Sequence, residues 1–202
     1  MRNSIIKISI TLISLLSFYG YSKAQCEVSI SKKNLESGML LEGVFENDPT
    51  ATVYVAEILS VEGNKFSCRF VHSNSTYKFN LGKTEKIEDG NSFSSAKVVS
   101  NINGKFATGR TFSFAVFLPD PNGCNLSFKS DFGPVNVVTT FPDGKPFVGR
   151  LTKVKNNYNI TYLHSGNKYV FDPNWIVKSR IKGSYQVGTK VKAVYAKEVI
   201  IE

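Results

Sequence analysis

The chain is short of the residues that most often carry chemistry or cross a membrane. It has two His, three Cys, two Met and one Trp in 202 residues. A zinc centre takes three or four ligands from His, Cys and carboxylate at close spacing, and neither half offers a second His or a Cys pair. No metal and no cofactor is therefore expected. No glycine-rich phosphate loop, nucleophile elbow or acid pair stands out. Beyond residue 24 no apolar run approaches the length of a spanning helix, and no transmembrane segment is expected. Heptads and helix-length apolar stretches are scarce too, which disfavours a helical bundle.

What is present points to export and to strands. Arg2 and Lys7 precede an apolar stretch over residues 5–19, and Ser22-Lys23-Ala24 places small residues where a signal peptide is cleaved, before Gln25. Residues 1–24 read as a secretory leader. Cys26 is not a lipoprotein cysteine on this reading, because Lys23-Ala24-Gln25 lacks the Leu and the small residue that lipidation requires. Removing the leader takes away Arg2, Lys7 and Lys23 and no acid, lowering the formal charge from +9 to +6. Aromatics reach 12%, with 15 Phe and 9 Tyr, a composition that favours strands. Asn74, Asn125 and Asn159 each open an N-glycosylation pattern, relevant only in a eukaryotic host.

The chain also contains itself twice. Val55 to Val61, Asn64 to Ser73 and Tyr77 to Asn80 return as Val148 to Val154, Asn156 to Ser165 and Tyr169 to Asp172. Gly104-Lys105-Phe106 returns as Gly183-Ser184-Tyr185, and Cys26-Glu27-Val28 resembles Cys124-Asn125-Leu126. A change of offset requires an insertion in the first copy near residues 82–100. The organisation read from this is a leader (1–24), a first unit (25–118), a linker of turn formers with two Pro (119–123) and a second unit (124–202).

Within each copy the apolar period is two. Phe66, Cys68 and Phe70, and Tyr158, Ile160 and Tyr162, alternate with polar residues, the mark of half-buried strands. Gly63-Asn64 and Asn156-Asn157 read as the turns of a hairpin in each copy. Two strands cannot exclude water from an apolar face, so the flanking runs at residues 40–45, 112–118, 135–141 and 191–195 should contribute further strands. The expected fold is all-β, two tandem five-stranded barrels.

In the second copy, Asp143-Gly144-Lys145-Pro146-Phe147-Val148-Gly149, Tyr158-Asn159-Ile160-Thr161-Tyr162 and Asp172-Pro173-Asn174-Trp175-Ile176 resemble a Tudor, Tudor-knot or agenet domain of the SH3-like barrel class. The resemblance covers about 55 residues there, while the first copy matches only through its hairpin. It implies an aromatic rim attracting a weakly hydrated cation, with walls at Phe141, Phe147 and Tyr162 in copy two and at Phe45, Tyr54 and Phe70 in copy one. The family's further aromatic in the strand three to four turn is replaced by His164-Ser165-Gly166-Asn167 and His72-Ser73-Asn74-Ser75. The competing structural reading is that these rings fill two small cores.

His72 and His164 stand at equivalent positions, each followed by Ser. Adjacent strand residues face opposite ways, so neither His is placed to activate its neighbour, and a structural or rim-lining use is expected. Cys68 replaces Ile160 in a core-facing slot and reads as a buried free thiol. Cys26 and Cys124 open the two copies, and export permits a disulfide between them; separately buried thiols are the alternative. The functional expectation is an exported, non-enzymatic binding or scaffold protein whose rims take a protein, peptide or glycan. Alternatives are a basic envelope protein holding anionic polymer, nucleic acid or acidic glycan, by charge, and a hydrolase or metal enzyme using His72 and His164.

Overall fold

The computed structural model describes residues 31–86, 92–120 and 132–201. The leader at residues 1–24 and the cysteine pair Cys26 and Cys124 lie outside the described residues. Among the described residues the regular structure is β throughout, and no helix is long and apolar enough to cross a membrane.

Strands β2 (Leu40–Phe45), β3 (Val53–Glu62), β4 (Lys65–Phe70), β5 (Thr76–Lys86), β6 (Ser92–Ile102) and β7 (Thr111–Asp120) form an antiparallel meander. Because β7 pairs with both β6 and β2, the sheet closes into a barrel of six strands rather than five. The insertion lengthens β5 and β6 rather than adding a strand. Residues 94–97, inside it, are those that pair with residues 111–114 of β7 and complete the ring.

The second half repeats this order in β8 (Phe132–Thr140), β9 (Pro146–Val154), β10 (Asn157–Tyr162), β11 (Lys168–Phe171), β12 (Val177–Lys182) and β13 (Lys192–Ile201), with β13 returning to β8. Lacking the insertion, β11 and β12 have 4 and 6 residues against 11 and 11 for β5 and β6. Where the first unit has the β6–β7 ladder, β12 and β13 meet at the bridge Ile176–Lys190. A short β1 (Ser31–Lys33) runs parallel to the end of β13.

Two local expectations shift. The second hairpin turns at Lys155-Asn156, since Asn157 already pairs with Val154, and Lys155 takes the positive φ (53°) that Gly63 (58°) supplies in the first. Pro119 and Asp120, read as linker, continue β7 and pair with Ala196 and Tyr195. Strand β2 accompanies β7 only to Phe117, so Pro119 has one neighbouring strand, an edge-like setting that tolerates a missing N–H.

Alternation places Phe66, Cys68 and Phe70 inside the first unit and Tyr158, Ile160 and Tyr162 inside the second, all at most 2% exposed. Cys68 is a buried free thiol whose pKa burial pushes up. Val199 and Ile201 of β13 belong to the first core, whereas Tyr195 of the same strand belongs to the second. The last strand thus clasps both.

The units meet in a pseudo-symmetric way. Equivalent strands β7 and β13 pair antiparallel, and the ladder is centred on Leu118 opposite Lys197, which are themselves equivalent residues, so the register is that of a two-fold axis. Leu40, Phe117, Val138, Val148 and Ala196 form a small apolar cluster at this junction. Beside it Glu42 is only 7% exposed, with Oε2 lacking a hydrogen-bond partner. Burial alone pushes its pKa from 4.5 to about 8.

Between those values the native chain holds a proton that the unfolded chain has released, so unfolding free energy should fall as pH rises from about 4.5 to 8. The full difference is of the order of 5 kcal/mol. Urea unfolding across this range should show that decline, and Glu42→Gln should flatten it.

Candidate functional site

Each unit presents a rim at one end of its curled sheet, assembled from the same five positions. In the second unit these are Phe141 after β8, Phe147 on β9, Tyr162 on β10, Tyr169 on β11 and Tyr185 in the turn before β13. In the first they are Phe45, Tyr54, Phe70, Tyr77 and Phe106. The anchoring is the same in both: the Tyr185 N–H donates to Tyr169 Oη at 3.1 Å, and the Phe106 N–H donates to Tyr77 Oη at 3.2 Å. This close approach explains the paired glycines. A Cβ on Gly183 or Gly104 would lie 1.9 or 2.3 Å from the corresponding Tyr ring or hydroxyl. The arriving ring then stacks on the β-strand aromatic, Tyr185 on Phe141 at 3.6 Å and Phe106 on Phe45 at 3.7 Å.

These stacks occupy ring faces that an open three-walled cage would have to present. Phe141, Phe147 and Tyr162 are 2%, 8% and 2% exposed, and Phe45 and Phe70 are 3% and 2% exposed. Tyr54 is half-buried. Phe147 also carries the His164 ring on its face at 4.8 Å. Tyr162 and Thr139 hydroxyls bond to each other beneath the rim. The predicted rings therefore do converge, but mostly edge-on to a cavity.

That cavity measures about 260 Å³ in the second unit and is lined by Phe141, Phe147, Tyr162, His164 and, across the unit boundary, His72. The two imidazoles approach to 6.0 Å between ring centres, and His72 lies 5.4 Å from Phe147. Sequence equivalence alone could not reveal this meeting, because it depends on how the units pack. In the first unit the corresponding cavity is about 160 Å³ and is lined by Phe45, Tyr54 and Phe70 without His72.

The two rims also differ in the charge they carry. Lys105 lies with its ammonium 4.8 Å from the Phe106 ring centre and 5.4 Å from that of Tyr54, a cation seated on aromatic faces. A hydrogen bond with Tyr54 is the largest influence raising its pKa, with Asp48 adding to it. Asp48 in turn accepts a hydrogen bond from Tyr54 Oη at 2.8 Å. The equivalent of Lys105 is Ser184, which lines the second cavity as Lys105 lines the first. Tyr185, Tyr169, Lys105 and Ser184 were not among the expected site residues. Their signal was the Gly-Lys-Phe and Gly-Ser-Tyr correspondence, legible as a turn but not as a rim.

Electrostatically the open cavity is close to neutral at its centre. Burial, then the neighbouring His72, lowers the His164 pKa from 6.5 to about 4, and its Nδ1 has no hydrogen-bond partner. His72 is lowered by burial and by Lys145, with Asp143 opposing. Asp143 itself accepts from Tyr185 Oη at 3.0 Å and lies 3.8 Å from Lys145. Ser73 and Ser165 accept bonds from the N–H groups of Ser75 and Asn167, closing their turns. Among the described residues no group of three His, Cys, Asp or Glu could hold a metal. Trp175 covers Tyr158 at 4.6 Å, and Asp172 accepts the N–H groups of Asn174 and Ile176, so that stretch shapes the β11–β12 turn away from the rim.

Comparison with known proteins finds no matching family model, no similar curated protein and no similar solved structure.

In an NMR titration His164 should show a midpoint near 4, and His72→Gln should raise it. Its unfolded counterpart protonates near 6.5, so this site's contribution to stability should be complete above that pH and lost as pH falls towards 4.

Proposed function

We propose that the protein is an exported, non-enzymatic binding protein of two Tudor-like, SH3-like units, in which the second rim engages a protein, peptide or glycan and the first serves as scaffold. The observation that carries this reading is the Lys105 to Ser184 difference between otherwise matched rims. One rim carries the chain's own ammonium group over its rings; the other keeps its aromatic framework, gains two imidazoles and has the larger cavity. A cavity of about 260 Å³ suits a single side chain or sugar unit of a larger ligand. Tyr162, Phe147 and Tyr185 supply apolar contact, while His164 Nδ1 is a polar group without an internal partner, available to orient the bound group.

A second reading has its own support. Strand β12 is exposed along residues 178–182, where Lys178, Arg180 and Lys182 donate to the neutral oxygens of Asn157, Ser184 and Ser165. This row of cations fits attraction to an anionic polymer, nucleic acid or acidic glycan, with little sequence preference.

Screening the full chain against peptide and glycan arrays, at low salt and at about 0.5 M salt, separates the two. Rim binding should survive the salt and drop at least about tenfold in Ser184→Lys, which installs the first unit's cation beside the rings without touching the core. Binding that collapses with salt and ignores Ser184→Lys would favour the charged strand instead.

A further inference from the structure

Pseudo-symmetry gives the molecule two clefts where the units meet, one on each side of the apolar junction, and they have diverged. Strand register makes the comparison residue by residue. Glu42 pairs with Ala115, whose equivalent Val194 pairs with Val138, so Glu42 and Val138 occupy the same place in the two units. Two residues earlier on the same strands, Leu40 corresponds to Asn136. On the last strands Pro119 corresponds to Glu198. One cleft is thus lined by Leu40, Val138 and Pro119, and the other by Asn136, Glu42 and Glu198.

The polar set is buried. Asn136, Glu42 and Glu198 are 5%, 7% and 8% exposed. They line a cleft of about 410 Å³ whose other walls include Val44, Val53 and Phe117. The fold does not need a carboxyl at this place, since valine fills it in the sister unit. An unpartnered carboxyl buried without a countercharge is costly, and apolar replacements of buried charges are commonly neutral or stabilising. Burial is the only influence acting on Glu42, so the exposed Arg150 guanidinium at the cleft's mouth does not serve as its partner.

We infer that this cleft is a second binding site, separate from the aromatic rim, which takes a primary alkylammonium group, its charge on the Glu42 carboxylate formed as that side chain releases its proton to solvent, and its methylene stem against Val44, Val53 and Phe117. The apolar walls suit a short aliphatic stem, and the buried oxygens suit a donor with several N–H groups. The ammonium could come from a free amine or from a lysine side chain, and the two are separable by experiment.

The full chain is titrated with n-pentylammonium, with N-acetyl-lysine methylamide and with neutral n-pentanol, each to about 10 mM, following the amide shifts of Gly43, Ala115 and Phe117. Saturable 1:1 binding of pentylammonium, at least about tenfold tighter than pentanol, is the expected result. Matching affinity for the lysine derivative identifies a side-chain source; binding of pentylammonium alone identifies a free amine. Glu42→Val, which copies the sister unit, should abolish ammonium binding and be at least as resistant to urea as the parent. Ser184→Lys should leave it unchanged, which keeps this site independent of the rim. Pentylammonium binding no tighter than pentanol, or retained in Glu42→Val, would overturn the inference, as would a Glu42→Val chain less stable than the parent. If Glu42→Val fails to fold, the inference is wrong about position 42 tolerating an apolar residue.

Discussion

The antiparallel pairing of β7 with β13 is the constraint on which the rest of the molecule hangs. Each is the closing strand of its unit, so joining them merges two curled sheets into one continuous hydrogen-bonded surface. Centring the ladder on the equivalent residues Leu118 and Lys197 imposes two-fold symmetry, and a slip of one residue would turn every side chain of β13 to the wrong face. Because β13 is long, its start completes the second core and its end completes the first. Neither unit can be removed without opening the other.

Symmetry then makes each departure from it informative. A duplicated scaffold offers the same structural solution twice, and where the copies disagree, at least one residue is answering to something other than the fold. Lys105 against Ser184 changes whether a rim carries a cation over its rings. Glu42 against Val138, and Asn136 against Leu40, change the character of a cleft. The insertion near residues 82–100 is a departure with a structural purpose, since it carries the residues that pair β6 with β7. The first barrel is thereby closed by four residue pairs between β6 and β7, while in the second unit β12 and β13 meet only around the bridge at Ile176 and Lys190. The unit with the more open seam is also the one with the more open rim.

Much of this was readable in one dimension. The strict alternation at Phe66, Cys68 and Phe70 reports a burial pattern fixed by the pleat, and it held. The repeat aligned the two hairpins, placed the insertion and paired Gly104-Lys105-Phe106 with Gly183-Ser184-Tyr185. The sixth strand escaped the count because β12 is exposed at five of its six residues and its counterpart β6 opens on a serine-rich stretch, so neither shows a clear apolar alternation. Both are held as strands by the neighbours they pair with, β11 and β5. The hairpin turn at Lys155-Asn156 was displaced by one residue because Lys at positive φ runs against local preference and is held there by the ladder on both sides.

Sequence by itself determined the all-β class, the duplication, the inward-facing residues and the aromatic composition of the rims, because all of these follow from local periodicity and from comparing the chain with itself. Tertiary structure alone decided which ring faces stay free, that His72 crosses to the neighbouring unit's cavity, and that Glu42 is sealed beside Asn136 and Glu198. Those outcomes depend on how two similar sheets lie against each other. That arrangement is set by one register between strands some eighty residues apart, which no local pattern records.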